Sequence, residues 1–193
     1  MSGALPILLK SRRIGDARGW FMETFSEASA AAAGIDVKFV QDNQSFSSDE
    51  GTLRGLHFQR PPCAQAKLVR CVRGSIMDYA VDLRRGSPTY GRWVGARLSE
   101  EGGEQLFVPV GFAHGFVTLE PNVEVAYKVS SLYSPECDGG IAWNDPRIGI
   151  DWPFPPSGSR LSAKDASLPT LAEFDSPFEY DGNPLEPLPE LRR

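Results

Sequence analysis

The chain has 193 residues and a formal net charge of -5, from 20 Lys and Arg against 25 Asp and Glu; this balance gives no basic field to hold a nucleic-acid backbone and excludes nucleic acid as a partner. Its length suits one buried core over residues 1–193 rather than two domains, and 41% hydrophobic with 10% aromatic residues excludes a chain disordered throughout. The longest apolar stretch, Leu106 to Leu119, is broken by Pro109, His114 and two glycines and falls short of the ~20 residues of a spanning helix, so no membrane partner is expected.

In chain order, Met1 to Pro6 shows no basic region ahead of an apolar one, hence no secretory signal. Ile7 to Arg12 reads as a strand. Ser26 as N-cap, Glu27 in the first turn, Ala30 to Ala33 and a stop at Gly34 predict a helix of about two turns. Further strands are expected at Val37 to Gln41, Leu68 to Arg73, Trp93 to Leu98, Gln105 to Val108 and Gly115 to Leu119. Two segments alternate with period two. Met77, Tyr79, Val81 and Leu83 point one way while Asp78, Ala80 and Asp82 point the other, and Val123, Val125, Tyr127 and Val129 form an apolar face that carries the Tyr127 phenol. With 19 Gly and 16 Pro scattered as punctuation, the layout is all-β, an antiparallel sandwich or barrel with a few short helices. The tail from Asp181 to Arg193, with three prolines, reads as a loosely held terminus.

Cys63, Cys71 and Cys137 lack C-x-x-C spacing, which fits reduced thiols of the cytoplasm serving as ordinary packing or surface residues. Histidine occurs twice, at His57 and His114, with no H-x-H or H-x-x-x-H pair, so no metal site is expected. No G-x-G-x-x-G, P-loop or G-x-S-x-G occurs. Spacing alone leaves both histidines open to a structural or a catalytic reading, and Arg54 and Lys67 to solvated charge.

The ordered set of Asp16–Glu23, Gly51–Gln59, Gln65–Arg70, Ala80–Gly91, Val110–Phe116, Tyr127–Lys128 and Leu161–Asp165 resembles the dTDP-4-dehydrorhamnose 3,5-epimerase family. The resemblance implies a cupin-type jelly roll, a homodimer, no metal or organic cofactor, and a small-molecule substrate, a dTDP-linked 4-keto-6-deoxyhexose on the route to L-rhamnose. By similarity His57 is the general base, Tyr127 the opposing general acid, Asp165 the residue orienting His57, and Lys67 the cation facing the keto oxygen. Arg18, Glu23, Gln41, Asp42, Asn43, Arg54, Lys67, His114, Asp138 and Lys164 fall on substrate-binding positions. Asp138 stands where the family commonly has glutamate, and one extra residue lies between Gln41 and Arg54.

These residue types suit the reaction. Inverting a carbon beside a ketone removes a proton from one face and returns one to the other through an enolate. Histidine, with an unperturbed pKa of about 6.5, is a competent base at physiological pH; tyrosine, near 10, stays protonated until needed. Trp20 or Phe21 is expected either to stack on thymine or to serve as a core or dimer contact. Arg54 and His57 are three residues apart, so a regular strand would point them to opposite faces; sharing one cavity requires irregular pairing, which Gly55 would permit. A C3-only epimerase, a non-catalytic nucleotide-sugar binding module and a metal-dependent cupin using His57 and His114 are the competing readings.

Overall fold

Twelve strands form within residues 5–154 and 160–189, the parts of the chain that the computed structural model describes. One antiparallel sheet has the order β1 (Ile7–Lys10), β9 (Glu104–Val108), β6 (Lys67–Arg73), β11 (Val123–Val129) and β4 (Gln41–Ser47). The other runs β12 (Asp138–Gly140), β5 (Leu53–Gln59), β10 (Phe112–Thr118), β7 (Ser75–Asp82) and β8 (Trp93–Ser99). Their facing rows, among them Val69, Ile76, Leu98, Leu106, Phe116 and Val125, close into one apolar core, giving a jelly-roll sandwich of the cupin type. A separate hairpin, β2 (Arg13–Asp16) with β3 (Gly19–Met22), lies outside both sheets. No helix of the described residues is long and apolar enough to cross a membrane.

Among the described residues the one α-helix, α1 (Glu27–Ala32), begins where expected: the Ser26 hydroxyl accepts the Ser29 N–H at 3.2 Å, satisfying an otherwise orphaned donor. With Ile35, its Ala30 covers Leu68 and Phe107 on the outer face of the first sheet.

The two alternating rows of β7 are both buried. Tyr79 packs on Trp93 and Trp152, and Val81 and Leu83 pack on Phe174 and Phe178, so the apolar row faces the C-terminal segment rather than the sandwich interior. The row bearing Asp78 and Ala80 faces inward instead, which places a carboxylate between the sheets.

Three local expectations are corrected. Residues 37–40 form no strand, because Val37 and Phe39 pack individually against the α1 layer; the strand begins at Gln41 and runs through a polar segment, Gln41–Ser47. The strand expected to reach Arg12 stops at Lys10, and Arg13 opens the hairpin. The tail is packed rather than loose over its first part: Asp181 accepts from Arg84 at 3.0 Å, Leu185 N–H donates to the Thr89 hydroxyl at 2.9 Å, and Leu185 and Leu188 lie on the core. Its end, residues 190–193, and Met1 to Ala4 of the N-terminal reading lie outside the described residues.

The irregular pairing expected near Gly55 is present. His57 pairs with His114 and Arg54 with Phe116, so β5 uses three residues where β10 uses two. Leu53, Leu56 and Phe58 consequently face the C-terminal cover while Arg54 and His57 both face inward. Gly55 has φ +130, and a Cβ there would stand 2.5 Å from Gly115 Cα and 2.8 Å from the His114 carbonyl oxygen. Gly55→Ala therefore combines left-handed strain with a backbone clash, together at least about 3 kcal/mol; calorimetry should show a melting temperature lowered by roughly 6–12 °C. A variant melting with the wild type would mean that the bulge relocates.

Candidate active site

The bulge opens one wall of a cavity of about 540 Å³ between the two sheets. Ser45 and Ser47 of β4, Lys67 of β6 and Tyr127 of β11 line one side. Arg54 and His57 of β5 and His114 of β10 line the other, and Arg160, Lys164 and Asp165 come from the C-terminal segment. Seven of the expected residues (His57, Lys67, Tyr127, Asp165, Arg54, His114 and Lys164) thus meet at one cavity.

The other expected residues stand elsewhere. Asn43 is paired across from Tyr127 and lines a neighbouring cavity of about 350 Å³, together with Asp42, whose carboxylate is held by Lys128 at 2.8 Å. Gln41 donates to Asn43 at 2.8 Å and accepts the Tyr133 N–H at 3.1 Å. Asp138 binds the Lys164 ammonium and accepts from the Tyr133 hydroxyl at 3.3 Å. Arg18 sits at the hairpin turn with its side chain 89% exposed and held by Asp16, while Glu23 accepts from the Ser26 and Ser29 hydroxyls. Trp20 and Phe21, 53% and 69% exposed on β3, are not core residues.

Within the cavity the charges are paired in depth. His57 Nε2 meets Asp165 Oδ1 at 2.6 Å, leaving the second ring nitrogen for other work. Asp165 is 4% exposed at the head of a 3₁₀ turn, Asp165–Ser167, and its N–H donates to the Ser162 hydroxyl at 3.1 Å. Burial pushes its carboxyl up, but hydrogen bonds from His57 and Ser162 outweigh that and hold it below the usual carboxylate range. It is an anion at neutral pH. Lys67 donates to the His57 carbonyl at 3.3 Å across the gap between sheets. Burial lowers its ammonium to about 8, against the opposing pull of the Asp78 carboxylate. Burial also raises the Tyr127 phenol above its usual value, with Arg54 acting the other way.

The sequence model of the dTDP-4-dehydrorhamnose 3,5-epimerase family matches residues 4–173. The chain belongs to this family. A protein of Sinorhizobium fredii, named dTDP-4-dehydrorhamnose 3,5-epimerase, is 53% identical over 173 residues, 90% of this chain and 88% of that one. The crystal structure of the Bacillus anthracis dTDP-4-dehydrorhamnose 3,5-epimerase, with TDP and PPi bound, superposes with a TM-score of 0.83 at 47% identity, covering 86% of this chain and 94% of that one. The Legionella pneumophila dTDP-6-deoxy-D-glucose-3,5-epimerase, in complex with dTDP-4-keto-L-rhamnose, gives a TM-score of 0.82 at 43% identity, covering 87% and 88%.

Asp78, Arg160 and Ser162 were given no site role by the sequence reading. Asp78 is fully buried and accepts His114 at 2.6 Å, and its second oxygen has no hydrogen-bond partner among the described residues. Burial lowers the His114 pKa, and Asp78 offsets this only in part. The available signal was an acidic residue inside an otherwise apolar strand, legible only once β7 is known to be covered on both faces. Ser162 and Arg160 carried no signal at all.

Lys67 followed by ammonium NMR should titrate at about 8, well below the ~10.4 of a solvated lysine. Asp78→Asn removes the charge that favours the ammonium, so the midpoint should move lower still. A wild-type midpoint near that of a free lysine would show that Lys67 is solvated.

Proposed function

We propose that this chain epimerises C3 and C5 of dTDP-4-keto-6-deoxy-D-glucose to give dTDP-4-keto-L-rhamnose, in the synthesis of dTDP-L-rhamnose. The observation that carries the reading is the placement of a carboxylate-held histidine and a partly buried tyrosine on facing sheets of one cavity, with a lysine reaching across between them. Two inversions beside a ketone need this set.

His57 takes the proton from the carbon beside the carbonyl, and Asp165 orients the ring and stabilises the imidazolium; such a base is worth ~10²- to 10⁴-fold. Negative charge grows on the C4 oxygen, where the Lys67 ammonium meets it. The Tyr127 phenol then gives its proton to the opposite face, completing the inversion, and exchange with water returns both groups to their starting states. Arg54 and Lys164, with Arg160 beside them, supply positive charge for the diphosphate. No organic cofactor or metal enters these steps.

A homodimer acting in the cytoplasm is part of the same reading. Arg18 and Glu23 lie away from their own cavity, on or beside a hairpin that exposes Ile14, Trp20 and Phe21, which supports a dimer in which the hairpin of one copy serves the site of the other. Cys63, Cys71 and Cys137 are free thiols, which supports the compartment. Mixing Arg18→Ala with His57→Asn protein tests the exchange: hybrid dimers keep one intact site, so activity should rise to about a quarter of wild type. Activity no higher than the mean of the two variants would place Arg18 in its own chain's site.

The direct test is proton NMR of dTDP-4-keto-6-deoxyglucose in D₂O. Both the H3 and H5 signals should vanish, and His57→Asn should abolish the loss while leaving nucleotide-sugar binding intact. Loss of H3 alone would replace the reading with C3-only epimerisation; retention of both by protein that binds the sugar would make it a binding module. Lys67→Met should cost ~10²- to 10³-fold in kcat. Because the deprotonated lysine brings no charge to the enolate, kcat should fall as pH rises through about 8, and a rate flat to pH 10 would remove Lys67 from the mechanism.

A further inference from the structure

Cys63 and Cys137 are not independent packing residues. Cys63 N–H donates to the Arg60 carbonyl at 3.1 Å and Arg60 N–H donates to the Cys137 carbonyl at 2.7 Å, so one residue ties both cysteines to the same end of β5. Gln59 fastens the two segments further, donating to the Cys63 carbonyl at 2.6 Å and accepting the Ser134 N–H at 2.8 Å. These backbone ties set the two thiols against each other. Cys63 is partly exposed, and Cys137 behind it is buried, 8% exposed. Contact with Cys63 and Ser134 lowers the Cys137 pKa. Cys71 is separate, buried on β6 with its thiol directed at the Arg73 and Glu124 carbonyls and pushed up to about 12 by burial.

The pair adjoins the cavity on both sides. Cys137 immediately precedes Asp138, whose carboxylate holds Lys164, and the strand it opens pairs Gly140 with His57. The loop bearing Cys63 leads within four residues to Lys67. We propose that Cys63 and Cys137 form a dithiol that hydrogen peroxide converts to an intrachain disulfide, and that the disulfide weakens nucleotide-sugar binding by displacing Asp138 and, with it, Lys164.

The chemistry balances. The Cys137 thiolate attacks one peroxide oxygen, the O–O bond breaks, and the departing hydroxide takes a proton to become water. Cys63, as thiolate, then attacks the sulfenic sulfur, the S–O bond breaks, and the second oxygen leaves as water. Two thiols are oxidised and one peroxide is reduced. Closing the bond draws the sulfurs from non-bonded contact to covalent distance, and the backbone at Cys137 and Asp138 must follow.

The binding part of this inference rests on the proposed function; the thiol part does not. Wild-type protein and the Cys63→Ser, Cys137→Ser and Cys71→Ser variants are treated with hydrogen peroxide, their thiols titrated in guanidinium, and their peptides weighed. Wild type should fall from three thiols to one, lose the mass of two hydrogens in a Cys63–Cys137 peptide pair, and recover with dithiothreitol. Its KM should rise roughly five- to tenfold with kcat little changed, and Cys71→Ser should respond like wild type. Cys63→Ser and Cys137→Ser should keep wild-type activity and lose the response. Three surviving thiols, a sulfinic acid on one cysteine, a disulfide between chains, or a disulfide with unchanged KM would each overturn the proposal. If no epimerase activity is found in either redox state, calorimetric binding of dTDP to the reduced and oxidised forms takes the place of KM, and equal affinity then refutes it.

Discussion

Arg54 and His57 can share a cavity only because Gly55 adds a residue to β5 without a matching one on β10. Strand alternation would otherwise send one of them into the layer of Leu53, Val117 and Trp143. The backbone fit is close enough at this point that no side chain has room. That closeness also sets His57 opposite His114, so the two histidines and the carboxylates behind them stand in one layer of the sandwich. The other end of the same interior fills with Leu98, Leu106 and Val123.

The cavity inverts the sign of the chain that encloses it. The protein carries a net charge of -5, yet four cations, Lys67, Arg54, Arg160 and Lys164, line the space against two carboxylates, Asp49 and Asp165. The carboxylates are each tied to a basic group: Asp49 to Arg160 at 3.4 Å, Asp165 to His57, Asp78 to His114 and Asp138 to Lys164. Burial disfavours the Lys67 ammonium, and the Asp78 carboxylate, one oxygen of which has no hydrogen-bond partner among the described residues, favours it. The excess of cations makes a surface suited to a diphosphate at one end and a developing enolate at the other.

How much of this was legible in the sequence depended on which neighbour each strand was given. The alternation of β7 and β11 was readable because period-two patterning survives whatever covers the faces. Which face lay inward on β7 was not, since the apolar row there packs on a segment some seventy to a hundred residues later in the chain. β4 was missed for the converse reason: its less exposed row, Gln41, Asn43, Ser45 and Ser47, is polar, and Ser45 and Ser47 line the cavity. The His57–Asp165 bond joins residues 108 apart, and no local pattern encodes such a pair; only the family resemblance brought Asp165 to attention. Arg18 and Glu23 show a different limit, because they stand away from the cavity of their own chain and its geometry gives them no part.

The C-terminal segment ties stability to the site. From Ile141 onward it covers the outer face of β5, β10 and β7 with Trp143, Ile148, Trp152 and Phe174. Its path is fixed by backbone bonds: Leu53 N–H donates to the Arg160 carbonyl at 2.9 Å, and Ala142 N–H to the Pro169 carbonyl at 2.8 Å. Between those two anchors run Ser162, Lys164 and Asp165. The segment that hides the second apolar face of the sheet is therefore the one that delivers the carboxylate to His57 and a cation to the cavity. A chain that left this face uncovered would expose a broad apolar surface and also lack the carboxylate that holds His57, so the hydrophobic burial that completes the fold completes the His57–Asp165 pair in the same step.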